Sequence, residues 1–127
     1  MTERGETTYQ LFQKGREHLK RGMPAQATVA LEKAKRREPE KASIREALGI
    51  AYFRIRRWAE AEAEFRAVLE LSPVNDYAHY ALGRALEKQG KVQEANGHYK
   101  LARSLKPGDE HYASRVLDLG ADEDEEE

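Results

Sequence analysis

Pro39, Pro73 and Pro107 follow one another at intervals of 34 residues. The same step relates Gly15, Gly49 and Gly83, then Ala27, Ala61 and Ala95, then the bulky Leu31, Phe65 and Tyr99, and no column needs a gap. Four columns of different chemistry do not fall into one period by chance. A period of this length marks tandem copies of a supersecondary unit that cannot bury its apolar face alone and must stack on its neighbours. Three units follow, 8–41, 42–75 and 76–109, so any fold for this chain has to repeat itself three times.

Each unit reads as a helical hairpin. Eighteen Ala and twelve Leu stand against five Val, three Ile and four Thr, a balance that favours helix and leaves little for strands. Apolar residues recur at helical spacing, and breakers fall at the middle and end of each unit. The pattern predicts an all-α chain with helices over 8–21, 24–38, 42–55, 58–71, 76–89 and 92–105. Gly22 and Gly90 fall at hairpin turns, where glycine ends a helix in the left-handed conformation. Pro24 suits the first turn of the helix that follows, while Pro39, Pro73 and Pro107, lacking an amide proton, stop the second helix of each hairpin. Mid-helix glycine costs about 1 kcal/mol against alanine, so Gly15, Gly49 and Gly83 require a compensating close approach of helices. Ala27, Ala61 and Ala95 are expected to face them, with Leu31, Phe65 and Tyr99 filling the gap one turn later.

These columns resemble the tetratricopeptide repeat family. The middle unit matches best, with Leu48, Gly49, Tyr52, Ala61, Phe65 and Pro73, and the third carries Leu82, Gly83, Ala95, Tyr99 and Pro107, with Leu86 in the usual tyrosine place. The first unit keeps Gly15, Ala27, Leu31 and Pro39 but has Lys14 for leucine and His18 for tyrosine, as suits a terminal repeat with one face in water. The resemblance implies a right-handed α-solenoid of three helical hairpins over 8–109. Tyr112, Val116 and Leu119, at i, i+4 and i+7, predict a short C-terminal capping helix within 110–119. An N-terminal arm, 1–7, and a disordered acidic tail, 120–127, are expected to flank this domain.

Composition narrows the function. With 127 residues, 39% of them hydrophobic and 35% charged, the chain holds one domain and no run apolar enough for a bilayer. No apolar core follows a basic start in MTERGETTYQ, so a cytoplasmic protein is the default. The absence of cysteine excludes disulfides and thiolate chemistry. Of the histidines, His18 and His79 occupy framework columns, and neither His98 nor His111 has a second histidine at i, i+4, which argues against a metal. Glu60, Glu62 and Glu64 read as a solvated helix face without the apolar surroundings that raise a carboxyl pKa. No phosphate loop, dinucleotide fingerprint or nucleophile elbow appears, so neither an enzyme nor a cofactor is expected.

Surface is what remains. In folds of this kind the first helices of successive hairpins line a concave groove that takes a peptide or helix. Positions one turn apart and off the packing columns should point into it: Tyr9, Phe12, Arg16 and Lys20, then Glu46, Ile50, Phe53 and Arg54, then Tyr77, Tyr80, Arg84, Glu87 and Lys88. Aromatic anchors ringed by cations suit a protein or peptide partner with hydrophobic side chains and negative charge. Some relatives grip a C-terminal carboxylate with Lys, Arg and Asn, but the matching places hold Phe12, Arg16, Ala47, Tyr77 and Ala81, of which one is cationic. The near-neutral net charge of -1 hides a basic body and a six-residue acidic run, 122–127. An adaptor binding a partner segment is therefore the leading expectation. The alternative is an RNA-associated protein using Lys33, Lys35, Arg36 and Arg37, and Arg54, Arg56 and Arg57. A monomer, or weak self-association through the thinly capped C-terminal end, is expected.

Overall fold

A computed structural model describes residues 5–117. Seven α-helices and no strand occur among them: α1 (Thr8–Lys20), α2 (Pro24–Arg37), α3 (Ala42–Arg54), α4 (Trp58–Leu71), α5 (Asp76–Lys88), α6 (Val92–Leu105) and α7 (Glu110–Arg115). The first six pair as hairpins, and α2 packs on α3, α4 on α5 and α6 on α7, so the chain is an all-α solenoid in which each hairpin leans on the next. None of these helices is long and apolar enough to cross a membrane.

The helix ends follow from local chemistry. A capping box closes α1, with Thr7 Oγ1 accepting from the Gln10 amide and Gln10 Oε1 accepting from the Thr7 amide. Asn75 caps α5 and Asp109 caps α7 in the same sense. Glu38, Ser72 and Lys106, each immediately before a repeat proline, leave the helix with ψ of 77, 83 and 77°, because a following proline ring excludes the α conformation. At the hairpin turns Gly22 and Gly90 take φ of 73 and 81°. The middle turn holds Arg56 in the same place at φ 64°, so a side-chain-bearing residue carries the left-handed strain that glycine avoids elsewhere.

The glycine columns work differently from the expectation above. A Cβ on Gly15 would lie 2.4 Å from Leu31 Cγ, on Gly49 2.7 Å from Phe65 Cε1, and on Gly83 2.6 Å from Tyr99 Cε1. The glycines thus receive the large column directly, and the fully buried Ala27, Ala61 and Ala95 sit beside that contact. Around it run the apolar clusters Ala27–Leu31–Ala47–Leu48–Ala51 and Ala61–Phe65–Leu82–Leu86–Ala95–Tyr99.

Two further expectations change. The cap helix ends at Arg115, with Val116 extended at φ -66 and ψ 128°, because the Asn96 side chain captures both backbone groups of Leu117. Tyr112 is buried and Val116 packs on the core, whereas Leu119 and the acidic tail lie outside the described residues. Two of the three α4 carboxylates expected on a solvated face are withdrawn from it, whereas Glu60 stays at the surface beside Arg57. Glu64 is buried and accepts from Lys35 at 2.8 Å and Arg45 at 3.1 Å, tying α2, α3 and α4 together, while Glu62 accepts from Gln89 and Arg66.

Two glycine variants separate packing from propensity. Gly49→Ala gains helix propensity but forces Phe65 aside, and it should destabilise by about 1–3 kcal/mol. Gly97→Ala, in α6 with nothing within 4 Å of its Cβ, should stabilise by about 0.5–1 kcal/mol. Urea midpoints of the two variants check both signs.

Candidate functional site

The first helices place two adjoining cavities on one surface. One, of about 400 Å³, is lined from α1 by Phe12, Arg16, Leu19 and Lys20 and from α3 by Ser43, Glu46, Ala47, Ile50 and Arg54. The other, of about 160 Å³, is lined by Ile50, Phe53 and Arg54 of α3, Phe65 of α4, and Tyr77, Tyr80, Ala81 and Arg84 of α5. Ile50 and Arg54 belong to both, so the two form one groove across α1, α3 and α5. Helical spacing explains the alignment, because residues three and four apart share a face.

Aromatic packing makes its floor rigid. Phe65 meets Tyr77 edge-on with centroids 6.5 Å apart, Tyr77 lies 6.2 Å from Tyr80, and Tyr80 lies 5.2 Å from Tyr112 of the cap helix. Phe53 packs edge-on against Trp58 at 4.9 Å. Three of the cations lie over these or neighbouring rings: Arg16 over Phe12 at 5.6 Å, Arg84 over Phe53 at 5.2 Å and Lys88 over Trp58 at 5.6 Å. A ring face orients a cation without neutralising it.

Charge separates the groove from the framework. Among the described residues, Arg16, Lys20, Arg54, Arg84 and Lys88 form no ion pair. Several framework cations are paired, Arg45 with Glu64, Arg66 with Glu62 and Glu94, and Arg115 with Glu87, while Lys33, Arg36, Arg56, Lys100 and Arg103 stand exposed on the outer surface. Glu46 is the one acid lining the cavities; it is half-buried, and burial, reinforced by Asp76, pushes its carboxyl above the usual range.

Ten of the expected positions, from Phe12 to Arg84, are thus brought together, counting Glu46. Tyr9 is 67% exposed with its hydroxyl accepting from Gln13, Lys88 lies beyond the cavities over Trp58, and Glu87 is taken up by Tyr99 and Arg115. Sequence reading missed Leu19, Ser43, Phe65 and Trp58. Leu19 and Ser43 sit at the edge of the helical stripe, and Phe65 and Trp58 belong to a second helix, so periodicity within a first helix carries no signal for them. Four of the seven residues of the basic clusters are engaged within the protein: Lys35 is bound to Glu64, Arg37 donates to the Glu6 carbonyl, Arg57 holds Glu60 and Arg54 donates to the Leu19 carbonyl, while Lys33, Arg36 and Arg56 are exposed.

The tetratricopeptide repeat profile matches residues 12–76 and again 46–110, the second match displaced by one period. The chain belongs to the tetratricopeptide repeat family. Mouse superkiller complex protein 3 is 28% identical over 116 residues, 91% of this chain but 7% of that protein, so the chain spans a small fraction of this relative's length. The first TPR domain of Spaghetti (RPAP3), solved with the HSP90 peptide SRMEEVD, superposes with a TM-score of 0.82 at 23% identity and 86% coverage of both chains. MamA gives 0.84 at 24% identity, covering 87% of this chain and 64% of its own. Both likenesses carry the fold. The five places at which some TPR proteins grip a terminal carboxylate, held here by Phe12, Arg16, Ala47, Tyr77 and Ala81, all line the groove.

The TPR columns also reveal what the histidines do. Arg45 Nε donates to the Pro39 carbonyl at 2.8 Å, and one repeat later His79 Nε2 donates to the Pro73 carbonyl at 3.0 Å. Arg45 pairs with Glu64, and one repeat after each stand His79 and His98, whose Nδ1 atoms are 3.1 Å apart. One slot is filled by an ion pair in the second repeat and by an imidazole pair in the third. Because His79 Nε2 faces a carbonyl and so donates, the Nδ1–Nδ1 bond holds a single proton, and the two rings cannot both be charged. No group of three or more metal-ligating side chains occurs among the described residues.

Burial, with the nearby His79 and Arg66, holds the His98 pKa below its ordinary 6.5. A histidine kept neutral in the fold protonates first in the unfolded chain, so stability is full above about pH 6.5 and falls as pH drops through and below that value. Urea midpoints between pH 8 and 5 should show this decline, and His98→Gln should remove its histidine-dependent part.

Proposed function

We propose that this chain is a protein-interaction module without catalysis of its own, whose groove across α1, α3 and α5 binds an acidic peptide segment carrying apolar side chains. The observation that supports this reading is the set of cations left without carboxylate partners beside an aromatic floor. Cations without carboxylate partners favour a ligand that brings them, and aromatic pockets supply the anchor energy that charge alone does not. Membership of the TPR family supports the same class, and so do the solved neighbours of this fold that hold the HSP90 peptide SRMEEVD and the HSP70 peptide SGPTIEEVD.

The mode of capture proposed here is different from a terminal-carboxylate grip. Of the five grip places only Arg16 is cationic, while Arg54 stands two turns beyond Ala47 and Arg84 one turn beyond Ala81, next to Phe53 and Tyr80. Acidic side chains within the segment, rather than its free end, would meet these guanidinium groups. The dispersal of Lys35, Arg37 and Arg57 into protein contacts weakens the nucleic-acid reading.

Trp58, the one tryptophan of the chain, packs on Phe53 at the groove edge and serves as a fluorescence reporter. Titration with SRMEEVD as free acid and as C-terminal amide should give similar, salt-sensitive affinities. Arg54→Ala and Arg84→Ala should each weaken binding at least about tenfold, in line with charge-assisted hot spots, whereas exposed Arg103→Ala should leave it unchanged. Absence of binding at millimolar peptide, or equal losses in all three variants, would contradict the proposal.

A further inference from the structure

The chain itself carries a run of charge opposite to that of the groove's cations. We infer that the acidic run 122–127 folds back onto the Arg84–Lys88 end of the groove and competes there with acidic ligands. The inference concerns the groove proposed above as a peptide site, but it requires no outside partner.

The exit point of the chain carries the first part of the argument. Leu117 is the last described residue, and its amide donates to Asn96 Oδ1 at 2.6 Å while its carbonyl accepts from Asn96 Nδ2 at 3.0 Å. Just before it, Val116 packs on the core and Arg115 reaches Glu87 at 3.4 Å. Glu87 is one helical turn beyond Arg84 and adjacent to Lys88 on α5, so the chain is last held beside the cationic end of the groove. Five steps separate Leu117 from Asp122, a reach of at most about 17 Å, and Glu127 extends it to about 35 Å. One helical turn is about 5 Å, so length is not limiting.

Charge supplies the second part. The run DEDEEE brings six carboxylates, and Arg84 and Arg54 of the groove, with Lys88 just beyond it over Trp58, have no ion-pair partners among the described residues. Other cations near the exit are already engaged: Arg115 with Glu87, Arg66 with Glu62 and Glu94, Lys91 with Glu62. Lys100 and Arg103 on α6 are exposed and unpaired there as well, but they stand in water, whereas Arg84 is half-buried against Phe53, where low-dielectric walls strengthen attraction. Tethering by a short linker gives an effective concentration on the order of 1 mM. A contact with an intrinsic Kd of that size would occupy the site about half the time and weaken a competing acidic ligand about twofold.

The test compares the full chain with a full-length variant carrying D122N, E123Q, D124N, E125Q, E126Q and E127Q. Backbone amide and arginine Nε–Hε NMR shifts are recorded at 20 mM and 500 mM NaCl. The expected result is a set of differences at Phe53, Tyr80, Arg84 and Lys88 at 20 mM salt that disappears at 500 mM, with SRMEEVD binding about twofold tighter to the neutralised chain at low salt. Differences confined to residues 116–127, or centred on Lys100 and Arg103, would overturn the inference. The outcomes stay separable from those of the peptide proposal. Groove shifts without peptide binding would uphold the tail contact and reject the peptide site, whereas equal peptide binding by both chains without groove shifts would do the reverse.

Discussion

Everything in this molecule hangs on one contact made three times, a large side chain seated on a helical glycine. Leu31 on Gly15, Phe65 on Gly49 and Tyr99 on Gly83 bring the two helices of each hairpin so close that a methyl group could not be inserted without displacement. The contact fixes the rotation of each first helix about its axis. Once that rotation is set, the next hairpin must bury the same stripe, and the opposite stripe of α1, α3 and α5 is left facing outward in register. The groove is thus a by-product of packing, and its residues are free to vary as long as the glycine contact holds.

Polar groups divide along the same line. Buried and half-buried charges in the framework are matched: Glu64 between Lys35 and Arg45, Tyr99 donating to Glu87, Tyr112 donating to Asp76. Leaving any of these unpaired would cost the desolvation of a charged or polar group, and partners that span neighbouring helices avoid it. Cations of the groove meet rings and a backbone carbonyl instead. Cations held over rings beside an apolar floor give the groove its functional weight, since surface charge in general is uninformative. The slot occupied by Arg45 and Glu64 in one repeat and by His79 and His98 in the next shows that geometry, rather than residue identity, is what the repeat preserves.

Much of this was legible from the 34-residue period. Helix ends expected at 21, 38, 55 and 89 fall within one residue of those observed, because glycine and proline act on the backbone locally. Most of the groove positions followed from the same periodicity. What escaped depends on partners far away in the chain. The cap helix is short because Asn96, 21 residues before Leu117, competes for its backbone. Glu64 reads as solvent-facing until Lys35 and Arg45 arrive from two other helices. The His79–His98 pair joins α5 to α6 at a separation of 19, beyond an i, i+4 search. Arg56 in the left-handed region breaks a local rule that glycine obeys in the sister turns; its place one period after Gly22 and one before Gly90 marks the conformation, while its residue type argues against it.

The central claim is that the glycine and the large residue are one coupled unit, and a double-mutant cycle on Gly49 and Phe65 measures that coupling directly. With Phe65 present, alanine at position 49 should destabilise; in a Phe65→Ala background the same change should be neutral or stabilising, because the ring is gone and helix propensity alone remains. A coupling energy of roughly 1–3 kcal/mol from urea denaturation is the predicted result. Additive effects, within about 0.3–0.5 kcal/mol, would contradict the account.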